Sequence, residues 1–142
     1  MTIVVDASVA IKFVVEEPGS DLALQLVGDA RPLIAPDWLL AEAASTLARK
    51  ANREGLDPDK AERSLTMLPE FFVNLYPTLD VLPAAFALSL RLKHALYDCI
   101  YLALALEENA VLITADQKFV ASCAAAGWRT HVRLLDEEGW LR

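Results

Sequence analysis

The chain has 142 residues, of which 55% are apolar and 23% charged, with 5 glycines and 7 prolines. This composition excludes a disordered, collagenous or low-complexity protein, and the length predicts one domain spanning residues 1–142. The formal net charge of −7 predicts weak bulk attraction to phosphate backbones, so a nucleic-acid substrate would need a local reversal of charge, which divalent cations could supply.

The two cysteines, Cys99 and Cys123, have no metal-ligand spacing and are too few for a disulfide scaffold. No basic leader precedes the first apolar run, so the N-terminus does not resemble a signal peptide. The longest apolar stretch, residues 99–106, is far below the roughly 20 residues of a membrane span. We therefore expect a soluble protein of the reducing cytoplasm.

Short β-branched runs alternate with longer helical patterns along the chain, which predicts an α/β fold with a mostly parallel sheet. In the first half, the pattern predicts strands at 3–5 and 33–35 and helices at 8–15 and 19–29. A further helix opens at Pro36-Asp37 and runs to about Arg53.

In the second half, Asp57 and Pro58 suit the N-cap and first position of a helix. Pro69, Pro77 and Pro83 punctuate the following region, where the pattern assigns no element other than a helix at 81–93. A helix at 97–108, a strand at 111–113, a helix at 117–126 ended by Gly127, and a strand at 131–134 complete the prediction.

Two aspartates follow predicted strands. Asp6 ends the first strand and Asp116 follows the strand at 111–113, and each precedes a helix. Either one alone is best explained as an N-cap. Together they point to a ligand site, because adjacent parallel strands would bring their carboxyl ends to one edge of the sheet.

Asp98 lies near the start of a helix, YDCIYLALAL (97–106), that is apolar on every side and therefore predicted to be buried. A first-turn aspartate gains about 0.3–1 kcal/mol from the helix dipole. That gain does not explain a carboxylate on a helix with so little polar surface, where an ionised group is costly unless paired or bound to a metal. We therefore favour a functional role.

Glu42 falls about 130° from the centre of the apolar stripe of its helix. Alone it is typical of a solvated glutamate. Thr46, Arg49 and Arg53 share its face, and such a ridge could hold a metal and then a phosphodiester. For the arginines, a solvent-facing ridge of salt bridges remains the stronger interpretation.

Asp6, Glu42, Asp98 and Asp116 thus form a set of four acids suited to Mg²⁺ or Mn²⁺, which prefer carboxylate and water ligands. Converging without a cation, they would repel one another and raise each other's pKa values. Bound divalent ions would remove that conflict and assist phosphoryl displacement.

Four segments of the chain, in order, resemble the acidic motifs of PIN-domain ribonucleases, specifically toxins of the VapC type. They are VVDASVAIK (4–12) with EEP (16–18), EAASTL (42–47), YDCIYLALA (97–105), and LITAD (112–116) with Phe119. Each motif is weak alone, whereas four across nearly the whole length are specific.

This resemblance implies a PIN-like three-layer α/β/α sandwich and a Mg²⁺- or Mn²⁺-dependent endoribonuclease that cleaves RNA. It also implies frequent homodimerisation and neutralisation by a small VapB-type antitoxin. Carried over by position, the four acids would be the metal-binding and catalytic residues. Ser8 and Thr114 would support them without binding the metal. Neither His94, expected at the surface, nor His131 is required.

Three alternatives remain open at this point. A phosphoacceptor receiver domain and an Asp-x-Asp phosphatase both lack support, because a single acid, Asp6, follows the first strand and Ser8 stands where the phosphatase needs its second acid. The third is a catalytically silent PIN-like binding module. Five large apolar side chains could either line a partner groove or belong to the core: Trp38, Leu39, Phe71, Phe72 and Trp140. We expect the antitoxin to contact residues 67–72.

Overall fold

The computed structural model describes residues 1–139. In this part of the chain, five strands form one sheet: β1 (Ile3–Val5), β2 (Leu33–Pro36), β3 (Asn74–Tyr76), β4 (Val111–Thr114) and β5 (Val132–Leu134). Their order is β3-β2-β1-β4-β5, and all neighbouring pairs are parallel. The predicted α/β fold with a parallel sheet is confirmed.

The helices are α1 (Ala7–Val14), α2 (Ser20–Val27), α3 (Trp38–Arg53), α4 (Pro58–Met67), α5 (Thr78–Leu92), α6 (Leu96–Glu107) and α7 (Gln117–Ala125), with 3₁₀ turns at Leu68–Phe71 and Arg129–His131. Right-handed crossovers place α1–α4 on one face of the sheet and α5–α7 on the other. In agreement, α1 packs on α2 and α3, whereas α6 packs on α5 and on three strands. The result is the three-layer sandwich that was predicted.

The core lies on both faces of the central strands, against α1–α3 on one side and α6 on the other. Every residue of β1, β2 and β4 is buried, as expected for strands covered on both faces. In α6, the run from Cys99 to Ala105 is buried as well. A helix without a polar face therefore packs at the centre of the molecule and positions Asp98 at its first turn.

The structure differs from the sequence prediction between the 3₁₀ turn and α5. Residues Asn74–Tyr76 form the edge strand β3, which was not predicted because it is only three residues long and has no buried member. Helix α5 begins at Thr78 rather than at 81, with Pro83 inside it. Pro83 is exposed, so water can solvate the carbonyl group that loses its helical partner.

Most of the side chains considered for a partner groove belong to the core. Leu39 and Phe72 are buried, and the rings of Phe71 and Phe72 pack against Phe13 with centroids 5.2 and 6.5 Å apart. Trp38 is partly buried, and Trp140 lies outside the described residues. No helix within residues 1–139 is long and apolar enough to cross a membrane.

Candidate metal centre

The candidate site lies at the carboxyl ends of β1 and β4, which are neighbours in the sheet. The chain leaves β1 toward β2 on one side and leaves β4 toward β5 on the other, so the two following helices diverge here. In open parallel sheets such a switch point is where ligands bind. Asp6 directly follows β1 and Asp116 is the second residue after β4, so both lie at the strand ends, as predicted.

Both aspartates also cap helices. Asp6 Oδ1 accepts a hydrogen bond from the Val9 N–H at 3.1 Å, and Asp116 Oδ1 accepts one from the Phe119 N–H at the same distance. The capping interpretation and the site interpretation are therefore compatible, because each carboxylate is oriented by the helix that it caps.

Ser8 and Thr114 tie the two strand ends together. The Ser8 hydroxyl donates to Asp6 Oδ1 at 2.6 Å and accepts from the Ala115 N–H at 3.2 Å. Thr114 Oγ1 accepts from the Asp116 N–H at 3.1 Å. These contacts suit the supporting role expected for the two hydroxyls.

Asp6 is 7% exposed. Burial raises the pKa of its carboxyl to about 6, and the charge of Asp98 adds to the rise. Hydrogen bonds from Ser8, Thr114 and the Val9 N–H act in the opposite direction but do not cancel it. Asp6 is therefore a carboxylate without a compensating positive charge.

Asp98 lies within 4.8 Å of both Asp116 and His94, measured between potential ligand atoms. His94 Nε2 is 2.6 Å from Asp98 Oδ2, and the His94 ring packs on Phe119 with centroids 4.6 Å apart. The backbone of His94 is bound to Ser89 at both its N–H and its carbonyl group. The ring is thereby held against Asp98.

His94 was expected at the surface, and that prediction is wrong: its side chain is 19% exposed and belongs to the acidic cluster. The preceding Lys93 adopts a left-handed conformation with φ of 53°, which turns the chain back toward α7. His94 lies before α6 begins, so its four-residue spacing from Asp98 is not a helical one and gave no signal in the sequence.

Glu42 is partly buried rather than solvated. The Tyr101 hydroxyl on α6 donates a hydrogen bond to its Oε1 at 2.8 Å. Burial raises the pKa of Glu42, the Tyr101 hydrogen bond opposes the rise, and the charge of Asp98 adds to it. Sequence reasoning missed Tyr101, although it lies three residues after Asp98 and hence on the same side of the helix.

The four predicted acids are thus grouped around Asp98 rather than in one tight cluster. Asp116 shares the 4.8 Å trio with Asp98 and His94, while Asp6 and Glu42 lie outside it and are affected by the charge of Asp98. Carboxylate oxygens are the donors that Mg²⁺ and Mn²⁺ prefer, and a divalent cation would offset their repulsion. The residues present therefore fit a divalent metal centre.

Two surface cavities adjoin this centre, and Glu42, Thr46 and Arg49 line both of them. The larger, of about 430 Å³, also contains Trp38 and Tyr97. The smaller, of about 330 Å³, also contains three charged side chains, which are Lys12, Glu17 and Lys50. The ridge of α3 that the sequence indicated thus separates an aromatic cavity from a charged one.

Comparison with known proteins agrees with this architecture. Residues 3–123 match the PIN domain family. The chain is 36% identical to ribonuclease VapC3 of Pyrobaculum aerophilum over 120 residues, which cover 83% of this chain and 92% of that protein.

Two solved structures share the fold. PAE2754 from Pyrobaculum aerophilum aligns with a TM-score of 0.72 at 20% identity, covering 96% of this chain and 92% of that one. VapC20 of Mycobacterium tuberculosis, a toxin that cleaves the sarcin–ricin loop, aligns with a TM-score of 0.70 at 17% identity, covering 89% and 95%. The sequence match, the parallel sheet and the acidic switch point lead to one conclusion: the chain belongs to the PIN domain family.

Proposed function

We propose that the protein is a Mg²⁺- or Mn²⁺-dependent endoribonuclease, the toxin of a toxin–antitoxin pair. The observation that carries the proposal is the grouping of Asp6, Glu42 and Asp116 around Asp98 at the sheet's switch point. The 36% identity to a ribonuclease over most of both chains supports RNA as the substrate.

In this proposal the four carboxylates hold the cation. When bound, a divalent ion supplies positive charge for the phosphodiester and lowers the pKa of a water molecule. The carboxylates remain available for that task because no lysine or arginine forms an ion pair with them in the described part of the chain.

Neighbouring side chains orient the carboxylates. Ser8 holds Asp6, Tyr101 holds Glu42 and His94 holds Asp98. Hydrogen bonds of this kind reduce the freedom that each carboxylate would lose on binding a cation. Tyr101 and His94 thereby join the supporting residues that the sequence predicted.

The test is cleavage of cellular RNA by the purified protein with Mg²⁺, with Mn²⁺ and with EDTA. The variant is Asp98→Asn, and the matched control is Asp80→Asn, which alters an exposed first-turn aspartate of α5. We expect discrete products that disappear in EDTA and in Asp98→Asn but persist in the control. Cleavage that survives EDTA or the Asp98 substitution would overturn the proposed mechanism.

Absence of both cleavage and Mn²⁺ binding in a folded protein would instead favour a silent binding module. Titration calorimetry with Mn²⁺ separates this outcome from an active nuclease of narrow specificity, which would bind the metal without cutting the RNA supplied.

We further infer a small antitoxin partner, supported by the VapC relative, and a homodimer, supported by the surface of α5. Helix α5 exposes Leu79, Phe86 and Leu90 along one side, with exposed fractions of 77%, 57% and 65%. An apolar stripe of this kind suits contact between copies. Sedimentation velocity of the protein alone, and of the protein coexpressed with the product of the adjacent gene, tests both assemblies.

A further inference from the structure

Two aromatic rings stack at the surface beside the candidate metal centre. Trp38, the first residue of α3, lies against Tyr97 of α6, with centroids 4.9 Å apart and an interplanar angle of 28°. Trp38 is partly buried and Tyr97 is 52% exposed. Part of the pair's ring surface is therefore exposed to solvent and does not pack against the core.

The start of α3, which carries Trp38, is fixed by its contacts with α5. The Trp38 N–H donates to Thr78 Oγ1 at 2.9 Å, and the same hydroxyl donates to Asp37 Oδ1 at 2.6 Å. Tyr97 is fixed through its position in the first turn of α6, whose following residues are buried. The stacked pair is thus preformed, which lowers the entropy lost when a flat ligand binds to it.

The pair lines the cavity of about 430 Å³ together with Glu42, Thr46 and Arg49. Tyr97 also directly precedes Asp98 in the sequence. A ligand on the rings is consequently adjacent to the Glu42 carboxylate and lies against the residue that precedes Asp98.

Positive charge lies on the other side of the α3 ridge. Lys12, Lys50 and Arg49 line the cavity of about 330 Å³. Arg49 Nε is 3.6 Å from Glu54 Oε2, and these two side chains are 55% and 50% exposed. Such an exposed pair is weak, so the guanidinium can exchange Glu54 for a phosphate at little cost.

We propose that Trp38 and Tyr97 form a base-stacking subsite for single-stranded RNA and that Arg49 contacts the RNA backbone beside it. This inference rests on the proposed ribonuclease function and specifies how the substrate is held. Stacking supplies affinity without positive charge, because every base has a π-face. That property matters in a chain whose net charge of −7 opposes nucleic acid.

The test measures RNA affinity by fluorescence anisotropy in an Asp116→Asn background, which is expected to prevent cleavage without altering α6 and to retain a capping side chain. The probe is a labelled single-stranded RNA of about 12 nucleotides, a length within the range of known single-strand sites. Tyr97→Ala should weaken binding by about 5- to 100-fold, the usual effect of removing one stacking ring. Tyr97→Phe should bind like the parent, because stacking does not need the hydroxyl group.

Two further variants separate stacking from loss of apolar surface. Tyr97→Leu keeps side-chain volume but removes the ring, so it should behave like Tyr97→Ala. Val73→Ala trims an apolar side chain that is 70% exposed and lines neither cavity, and it should leave RNA affinity unchanged. Circular dichroism and sedimentation velocity verify that each variant keeps its fold and its mass.

RNAs with a single abasic position provide an independent test. One abasic position should weaken binding to the parent about as much as Tyr97→Ala does, and the same RNA should bind Tyr97→Ala with no additional loss. This lack of additivity identifies the missing base as the partner of the missing ring.

The contribution of Arg49 is tested by salt dependence. Arg49→Gln should reduce the slope of log K against log salt concentration by about 0.7, the value for one phosphate contact on a single strand. Arg53→Gln removes an exposed arginine from the end of the same helix, outside both cavities, and should leave the slope unchanged.

The outcomes are distinguishable from failure of the proposed function. If the background protein binds RNA and Tyr97→Ala binds it equally well, the subsite is wrong and the ribonuclease proposal stands. Equal losses of RNA affinity in Tyr97→Phe and Tyr97→Ala would also overturn the stacking role. So would a weaker affinity of Tyr97→Ala that is accompanied by a changed sedimentation mass, if no abasic position weakens RNA binding to the parent. If the Asp116→Asn protein does not bind RNA and the unsubstituted protein neither cleaves RNA nor binds Mn²⁺, the ribonuclease proposal fails and the subsite fails with it.

Discussion

Two groups of charged side chains lie near the α3 ridge, one centred on Glu17 and the other on Asp98, and their carboxylates have opposite surroundings. Glu17 lies between two ammonium groups, with Lys12 Nζ at 3.1 Å from one carboxylate oxygen and Lys50 Nζ at 3.0 Å from the other. Burial opposes ionisation of Glu17, but the hydrogen bonds and charges of both lysines outweigh it, so its pKa is lowered. Asp6 has a hydroxyl and a backbone N–H as partners instead, and its pKa rises to about 6.

The comparison indicates which group is complete within the chain. Around Glu17, protein cations neutralise the carboxylate, as in a structural ion pair. Around Asp98, the carboxylates repel one another, and a cation from outside the chain is needed to neutralise them. Perturbed carboxylates mark a functional site only when their own surroundings leave them uncompensated.

The largest expected difference between the two groups is in RNA cleavage. Asp6→Asn or Asp116→Asn should lower kcat by about 100-fold or more, since loss of a residue that merely supports a metal ligand already costs about 10- to 100-fold. Glu17→Gln removes one charge from the cavity of about 330 Å³ that Glu42 also lines, and it should leave kcat nearly unchanged. A large kcat loss in Glu17→Gln, measured with saturating Mg²⁺, would contradict this division.

A smaller effect is expected at His94. His94→Ala should weaken Mn²⁺ binding by about 10- to 100-fold because Asp98 loses the partner that orients it. His94→Gln, which places an amide near the former Nε2, should recover part of the loss. The control is His131→Ala, since His131 Nδ1 is bound to the Ala110 carbonyl group away from the acids. Calorimetry with Mn²⁺ measures all three variants, and equal affinities would show that Asp98 needs no such partner.

The affinity for Mn²⁺ should also depend on pH. A cation requires the ionised form of Asp6, so Mn²⁺ affinity should fall about tenfold per pH unit below about pH 6 and level off above it. The raised pKa of Glu42 acts in the same direction. Titrations between pH 5 and 8 test this, and a flat profile across the whole range would contradict an uncompensated Asp6.

The smallest effects are on stability without metal, and their signs should be opposite. The raised pKa of Asp6 means that the folded state holds its proton longer than the unfolded state, so stability is lost as pH rises from about 4 to 6. Asp6→Asn removes that cost and should raise the free energy of unfolding at pH 7 by up to about 3 kcal/mol, since each unit of raised pKa corresponds to about 1.4 kcal/mol.

Glu17 contributes stability above its unfolded pKa, and this contribution is lost as pH falls through its lowered folded value. Glu17→Gln should therefore lower the free energy of unfolding at pH 7 by about 1 kcal/mol, a typical value for a partly buried charged hydrogen bond. Urea unfolding in EDTA measures both variants. Changes of the same sign would remove the contrast between the two groups.

Much of the fold was predictable because strand and helix periodicities differ. The three buried strands and the uniformly apolar α6 have the strongest patterns, and they build the centre of the sandwich. The edge strand β3 was missed because an exposed three-residue strand has no periodicity to detect.

The positions of the candidate site's acids were predictable from the sequence, but the side chains that form hydrogen bonds with them were not. Asp6 and Asp116 follow strands, so the topology of a parallel sheet suffices to place them. The angle of Glu42 on its own helix predicted exposure, because that angle contains no information about Tyr101 on α6. His94 likewise depends on a left-handed turn at Lys93 that the sequence does not indicate.

The central position of β1 has a consequence for the time at which the protein becomes active. Ile3–Val5 is synthesised before the other strands of the sheet, yet one of its two neighbours is β4, more than a hundred residues later in the sequence. A nascent chain that ends before Val111 lacks both that neighbour and Asp116, so β1 keeps an open edge and the acid group stays incomplete. The proposed nuclease therefore cannot assemble its centre until more than a hundred residues after Asp6 have been synthesised.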